Sequence, residues 1–391
     1  MIRLPSMRCC SSRQLPALTA LLIAGFGMDA EAAVSSYRPA DPAAVVLRLG
    51  DAGGEQRLAR LRAASDRAPG DVDTRLRYVD ALIETGARSG NERYYGYAEQ
   101  SLGDARIAPT PTTLLRQAQL LQHRHAFREA EQVLGRLLDR DPRDREARLM
   151  RAQVRLHLHE PQQSATDCAA LASLVDMLTT TTCVAQARAA SGDLERAYAL
   201  VTATLQSQQA EPATRSWSAG VAAELAARLG NTKAADRWYE EAFRLHPQDH
   251  YVRITYADWL MAQGRNDAAV DVASRGASMA DRARVVLARR DLQSDESRRL
   301  QLAWREAATR GDRGYLREQT RFELTVRHDA TTAHVLAQQN FHERTEPEDA
   351  LLLATTAVAT GDRAALATVR TWRERYRYRD VRLDRLLGDA S

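Results

Sequence analysis

The sequence predicts an all-α fold, arranged as a solenoid of helical hairpins. Helical spacing of apolar residues runs from about Gln56 to the C-terminus and is broken only by short turns rich in Gly, Asp, Asn and Pro. Similar segments recur roughly every 34 residues, a period typical of arrays built from helix pairs. Such arrays lengthen without enlarging a single core, so a chain of 391 residues need not divide into separate globular domains.

The clearest repeats share one short motif, in which a helix ends at glycine, a polar turn follows, and a second helix carries an early alanine. Residues 191–197, 229–235 and 263–269 contain it. A small residue on the first helix precedes one on the second helix by twelve positions. The pairs are Ala118/Ala130, Ala185/Ala197, Ala223/Ala235 and Ala257/Ala269, while Ala152 pairs less regularly with Ser164 or Ala165.

These motifs resemble the tetratricopeptide repeat family, in which paired small residues let two helices cross closely. The resemblance is clearest over residues 112–280, and Leu316–Phe341 is similar to part of uncharacterised exported bacterial proteins of this family. It implies a right-handed superhelical solenoid of about eight hairpins, whose first helices line a concave groove. One longer interval between repeats predicts an insertion near residues 206–212.

The N-terminus has the layout of a secretory signal peptide. Three arginines precede the short apolar stretch Leu15–Met28, and Ala30-Glu31-Ala32 supplies a small-x-small cleavage pattern. We therefore expect residues 1–32 to be removed after Ala32, leaving a periplasmic or secreted protein without a membrane span.

The rest of the chain is predicted to consist of three parts. An irregular N-terminal segment covers residues 33–55, and repeats cover 56–280. Residues 281–391 are expected to form divergent repeats that end in a capping helix, with Val369, Trp372 and Tyr376 on one face and arginines around them.

Two cysteines, Cys168 and Cys183, remain after the signal peptide is removed. They fall on neighbouring antiparallel helices of the predicted array, in an oxidising compartment where disulfides persist. The sequence leaves two interpretations open, a disulfide or two separate buried thiols.

The position after each first-helix small residue is expected to face the concave groove. These residues are polar: Gln119, Gln153, Gln186, Glu224 and Asp258. Trp217 and Tyr251 lie on the same helices and are candidate aromatic anchors. Amide and aromatic side chains suit an extended protein or peptide partner, although the same residues are also common at solvated helix positions.

Four histidines suggest an alternative function. His123 and His125 recur 34 residues later as His157 and His159. Four imidazoles could bind zinc or copper. However, residues two apart on a helix point in nearly opposite directions, and histidines are also favoured at helix C-termini. A third hypothesis, an adaptor in polysaccharide export or glycan binding, follows from the settings in which members of this family recur.

Charge and motif content argue against two other classes of protein. The 55 basic and 51 acidic residues give a formal net charge of +4, typical of a mixed solvated surface and not of a nucleic-acid-binding protein. No nucleophile elbow, phosphate-binding loop, metalloprotease helix or paired-cysteine zinc motif occurs. We therefore predict a non-catalytic interaction scaffold without a cofactor.

Overall fold

The computed structural model describes residues 52–89, 93–103, 109–309 and 314–388. Within these ranges the regular structure is entirely helical, with twenty α-helices and one short 3₁₀ turn. The predicted all-α repeat solenoid is therefore confirmed. The signal peptide and its cleavage site lie outside the described residues. The first described helix begins at Ala52, a few residues before the predicted start of the repeats at Gln56.

The helices follow one another along the chain as consecutive hairpins. The first half contains α1 (Ala52–Arg67), α2 (Val72–Ser89), α3 (Arg93–Leu102), α4 (Pro111–His123), α5 (Phe127–Arg140), α6 (Arg145–His157), α7 (Pro161–Ala170), the 3₁₀ turn Leu171–Ser173, α8 (Met177–Ala190), α9 (Leu194–Ser207) and α10 (Pro212–Arg228). The second half contains α11 (Thr232–Leu245), α12 (His250–Ala262), α13 (Asn266–Ala273), α14 (Met279–Arg289), α15 (Asp295–Thr309), α16 (Leu316–Thr325), α17 (Ala330–Glu343), α18 (Pro347–Thr360), α19 (Arg363–Tyr376) and α20 (Val381–Leu387).

Nine hairpins are present in the described part of the chain, from α2/α3 to α18/α19, with α1 before them and α20 after them. The insertion predicted from the repeat spacing lies where expected. Helix α9 ends at Ser207 and α10 begins at Pro212, and α10 is itself longer than α8, with 17 residues against 14.

The predicted small-residue pairs form the centres of the hairpins. All eight alanines of the four regular pairs are fully buried. In the irregular pair, Ala152 and Ser164 are also fully buried whereas Ala165 is half-buried, so Ser164 is the partner. A larger side chain at these positions would separate the two helices, because protein interiors are already close-packed.

Several first helices begin and end with a local motif. The side chains of Asp144, Asp176 and Asp249 accept hydrogen bonds from backbone N–H groups in the first turn, which lack partners within the helix. At the other end of α4, α6, α8, α10 and α12, the second residue after the helix adopts a left-handed conformation, and the next N–H bonds back to the last turn. Gly192 and Gly230 supply this residue in the hairpins α8/α9 and α10/α11.

Two histidines occupy the same left-handed position in earlier hairpins. His125 follows α4 with φ of 59°, and His159 follows α6 with φ of 58°. For a residue with a side chain this conformation costs roughly 1–2 kcal/mol. Glycine would avoid that cost, so the histidine side chains are expected to contribute contacts that glycine lacks.

The two cysteines are bonded to each other. Cys168 on α7 and Cys183 on α8 form a disulfide with a Cα–Cα distance of 5.5 Å. Both are fully buried and pack with Ala152 and Leu171. The bond therefore joins the consecutive hairpins α6/α7 and α8/α9 covalently.

Reduction of this disulfide is expected to destabilise the protein. A cross-link closing a loop of about 15 residues contributes roughly 3 kcal/mol through the entropy of the unfolded chain. Urea denaturation with and without dithiothreitol measures the difference. The Cys168→Ala/Cys183→Ala variant serves as the control and should not respond to the reductant. An equal effect of the reductant on both proteins would contradict a stabilising disulfide.

Candidate functional site

Five predicted groove residues, one on each of five successive first helices, define what we call the first-helix face: Gln119, Gln153, Gln186, Glu224 and Asp258 on α4, α6, α8, α10 and α12. All five are half-buried. The Gln153 amide donates a hydrogen bond to the Gln186 carbonyl oxygen at 3.0 Å, so these two side chains lie side by side on successive first helices. The amides retain further hydrogen-bonding groups that this contact does not use.

The two candidate anchors differ from each other. Trp217 is half-buried and packs against the buried cluster of Ala152, Cys168, Leu171 and Cys183, so it is part of the hydrophobic core and not an open anchor. Tyr251 is 58% exposed, and its hydroxyl donates a hydrogen bond to Glu224 Oε2 at 3.4 Å. Of the two aromatic residues, only Tyr251 presents its ring to solvent on the first-helix face.

Asp258 is already paired within the protein, which its sequence position did not reveal. Its carboxylate accepts hydrogen bonds from Arg284 at 2.8 Å and from Arg321 at 2.9 Å. Burial alone would raise the pKa of Asp258, but the charges of these two arginines outweigh it and lower the pKa to about 2. The Asp258 carboxylate is therefore engaged by the C-terminal helices, whereas Tyr251 on the same helix stays exposed.

A chain of alternating charges continues from Asp258 through the C-terminal helices. Arg284 also pairs with Glu318 at 2.8 Å. Arg321 pairs with Glu348 at 3.4 Å, and Glu348 pairs in turn with Arg382 at 3.5 Å. The last link joins Arg382 to Asp380 at 2.6 Å. These ion pairs hold α12, α14, α16, α18 and α20 together on one side of the solenoid.

The helices α16–α20, which we call the C-terminal module, also return to the turns of the early hairpins. His157 Nδ1 lies 3.2 Å from Glu346 Oε1, and His125 Nδ1 lies 3.7 Å from the same oxygen. His159 Nε2 lies 3.1 Å from Thr345 Oγ1. Thr345 and Glu346 connect α17 to α18, nearly two hundred residues away along the chain.

Glu346 is the acidic centre of this contact. Burial raises its pKa, but hydrogen bonds from His125 and His157 and the charge of Arg317 together bring the pKa well below the usual range. Arg317 lies 2.8 Å from Glu346. The carboxylate is therefore held in its charged form by groups from both the module and the early hairpins.

The segment Tyr376–Val381 contacts the turn after α6 again and extends the contact along two more turns, those after α8 and α10. The Tyr376 ring stacks on His159 with a centroid distance of 3.8 Å. Arg379 forms a two-oxygen ion pair with Glu195, each contact 2.6 Å long. The Arg228 guanidinium lies 4.3 Å from the Tyr378 ring centroid and donates to the Arg379 carbonyl oxygen at 3.0 Å.

Glycines in two of these turns also allow the backbone of the segment Tyr376–Val381 to lie close to the early hairpins. A Cβ on Gly192 would lie 3.0 Å from the Arg377 carbonyl oxygen, and one on Gly230 would lie 3.2 Å from Val381. On α19, Val369 and Trp372 are buried and Tyr376 is half-buried, whereas Thr371, Glu374 and Arg375 are exposed. Helix α19 is followed by α20, and Tyr376 packs against an early hairpin.

The histidines do not form a metal site in the part of the chain that the structure describes, where no group of three or more suitable ligands occurs. His123 stacks on Tyr95 at a centroid distance of 3.5 Å, and His157 stacks on Phe127 at 4.4 Å. The metal-binding alternative is therefore not favoured, and the imidazoles serve as contacts between helices.

Sequence reasoning missed the partners of these histidines, Thr345 and Glu346, and the arginines that cover Asp258. One signal was available. Alignment of the repeats places His125 and His159 where later repeats have Gly192 and Gly230, and a histidine in a turn that favours glycine indicates a side chain retained for its contacts.

Comparisons with known proteins extend only to the fold. No family model and no curated protein matches the chain. A similar solved structure is the APC/C hetero-tetramer Cut9–Hcn1, with 13% identity and a TM-score of 0.41 over 78% of this chain and 52% of that one. This chain therefore spans about half of the matched chain.

Two further solved structures match over most of their own length. A tetratricopeptide repeat protein from Parabacteroides merdae is 14% identical, with a TM-score of 0.37 over 71% of this chain and 98% of that one. The human IFIT1 dimer with m7Gppp-AAAA is 12% identical, with a TM-score of 0.41 over 83% and 86%. None of the helices in the described residues is long and apolar enough to span a membrane.

The stack between His159 and Tyr376 is expected to stabilise the return of the C-terminal module. A double-mutant cycle with His159→Ala and Tyr376→Ala should give a coupling of about 0.5–1.5 kcal/mol, as for other ring pairs. Urea denaturation provides the four free energies. His328 is the matched control, because it is left-handed (φ 57°) and exposed, and His328→Ala should show no coupling to Tyr376→Ala. Equal coupling in both cycles would contradict the stack.

Acid is expected to weaken the contact between the C-terminal module and α12. The pKa of Asp258 is lowered to about 2 in the folded protein, so its stabilisation is complete above its usual value of 3.8 and is lost as the pH falls to about 2. The difference between these two pKa values corresponds to about 2 kcal/mol of the free energy of unfolding. Thermal melting between pH 5 and pH 2 should show a smaller loss for Asp258→Asn than for the native protein. Exposed Asp267→Asn should follow the native curve, and identical curves for all three would contradict this assignment.

Proposed function

We propose that this tetratricopeptide-like solenoid is a non-catalytic protein-interaction scaffold that binds an extended polypeptide on the first-helix face. The observation that carries the proposal is the pairing of the Gln153 and Gln186 amides on successive first helices, together with the exposed ring of Tyr251 on a later first helix. Amide side chains match the N–H and C=O groups of an extended backbone, and a tyrosine anchors a side chain at low entropic cost.

The binding surface in this proposal extends from Gln119 to Tyr251. Asp258 marks its limit, because Arg284 and Arg321 cover that carboxylate. The partner would thus lie across α4, α6, α8 and α10 and end beside Tyr251 on α12. Nothing in the described residues favours the polysaccharide alternative over a polypeptide.

We place this scaffold in the bacterial envelope, either in the periplasm or outside the cell. The proposal rests on the signal-peptide pattern of residues 1–32 and is supported by the disulfide between Cys168 and Cys183. Disulfides persist in exported proteins and are rare in the reducing cytosol. Comparing precursor and mature masses in cell fractions would test both the cleavage after Ala32 and the location.

Photocrosslinking in cells tests the binding surface. A photoreactive residue replacing Gln186 should yield one dominant crosslinked polypeptide, because this position is central on the first-helix face. Arg196 is the control, since it lies on the second helix of the same hairpin with a side chain 80% exposed. Crosslinks at Gln186 that match those at Arg196 would contradict binding on the first-helix face.

The Tyr251→Ala variant refines this test. Loss of the exposed ring should reduce the yield of the Gln186 crosslink about tenfold or more, as expected for an aromatic anchor. The melting temperature should stay near the native value, because the side chain is exposed and its truncation leaves no cavity. An unchanged yield would exclude Tyr251 as an anchor.

A further inference from the structure

Glu224 differs from the other acidic side chains at the closed end of the first-helix face. Each of the others has an arginine within ion-pair distance: Asp258, Glu318, Glu348 and Asp380. Within the described residues, Glu224 has no arginine, lysine or histidine within ion-pair distance. Its carboxylate accepts one hydrogen bond, from the Tyr251 hydroxyl at 3.4 Å.

The nearest basic side chain on the same helix is directed elsewhere. Arg228 lies one turn after Glu224 on α10, but its guanidinium contacts the Tyr378 ring and the Arg379 carbonyl oxygen. Burial raises the pKa of Glu224 in spite of the opposing charge of Arg228, and the negative charge of Glu348 raises it further. Because neither Arg228 nor Arg382 lies within ion-pair distance of Glu224, the half-buried carboxylate remains unfavourable in its charged form.

Tyr251 provides the second half of a cation-binding arrangement. Its hydroxyl is fixed by Glu224, while 58% of the residue stays exposed. An arginine side chain placed there could give its guanidinium N–H groups to the carboxylate and lie over the phenol ring. The planar guanidinium can make both contacts, whereas the compact ammonium of lysine is suited mainly to the ion pair.

We infer that Glu224 and Tyr251 form a subsite for a basic side chain of the bound polypeptide, with arginine preferred over lysine. This inference rests on the proposed function, since it assigns part of the partner's sequence. The subsite lies at the end of the first-helix face, next to the C-terminal module. The partner would therefore carry its basic residue at the end of the segment that follows the amides of Gln153 and Gln186.

Two labelled peptides that differ in one charge test the subsite on the mature full chain. Both are alanine- and glutamine-rich heptapeptides with a central residue that is either arginine or its neutral isostere citrulline. Fluorescence anisotropy should give an affinity about tenfold higher for the arginine peptide. Native protein that binds both peptides equally, or binds neither, would overturn the inference.

Variants of the protein then identify the carboxylate that binds the arginine side chain. Glu224→Gln should reduce the affinity for the arginine peptide to that for the citrulline peptide, and Tyr251→Ala should lower it further. Glu240→Gln is the matched control, because it removes the same charge from an exposed position on α11 and should bind like the native protein. Equal loss in Glu224→Gln and Glu240→Gln would indicate a general effect of net charge and refute the subsite.

Two further measurements distinguish a failure of the subsite from unfolding of the variant and from a failure of the scaffold proposal. Glu224→Gln removes an unpaired carboxylate and should melt at or above the native temperature, so its loss of binding cannot be due to unfolding. If a native partner crosslinks at Gln186 equally well in the Glu224→Gln variant, the subsite is wrong and the scaffold proposal stands. If no partner crosslinks at Gln186 in the native protein, the scaffold proposal itself fails.

Discussion

The close crossing of two helices in each hairpin is the constraint on which this structure depends. At the five crossings from α4/α5 to α12/α13 the facing side chains are alanine or serine, and all ten are fully buried. Once the two helices of a hairpin are set at this distance, the next residue on the first helix is turned toward the first-helix face. The buried Ala152 and Ala185 thus place Gln153 and Gln186 side by side, so that core packing and the proposed binding surface share one geometric origin.

What the sequence reveals is mostly local. The hairpin repeat, the small-residue crossings, the turn glycines and the insertion before α10 all follow from spacings within about 40 residues. The contact between the C-terminal module and the early hairpins does not follow from such spacings. It depends on which of the 55 basic residues pairs with which of the 51 acidic residues. Arg321 and Asp258 are separated by 63 positions, and His159 and Thr345 by 186. No periodicity encodes such a pairing.

The same limit explains the mixed outcome for the candidate site. Taking the residue after each small residue of the first helices selected five polar residues for one face. The sequence could not distinguish an unpaired carboxylate from one that is paired with an arginine far away along the chain. Asp258 and Glu224 occupy equivalent positions on consecutive first helices, yet one is ion-paired and the other is not. Trp217 is not an open anchor for a related reason, because it is half-buried and packs against the cluster that contains the disulfide.

The return of the chain end also bears on how such an array can change in length. An open solenoid gains or loses a repeat at little cost, because each hairpin contacts only its neighbours. Here the turns after α4, α6, α8 and α10 are matched in order to residues between Thr345 and Val381. Removing one internal hairpin would shift every later turn by one place against that segment, and the histidine, glycine and arginine contacts would no longer coincide. The number of repeats is thereby fixed by the fold in this part of the chain, as strand number is fixed in a closed barrel.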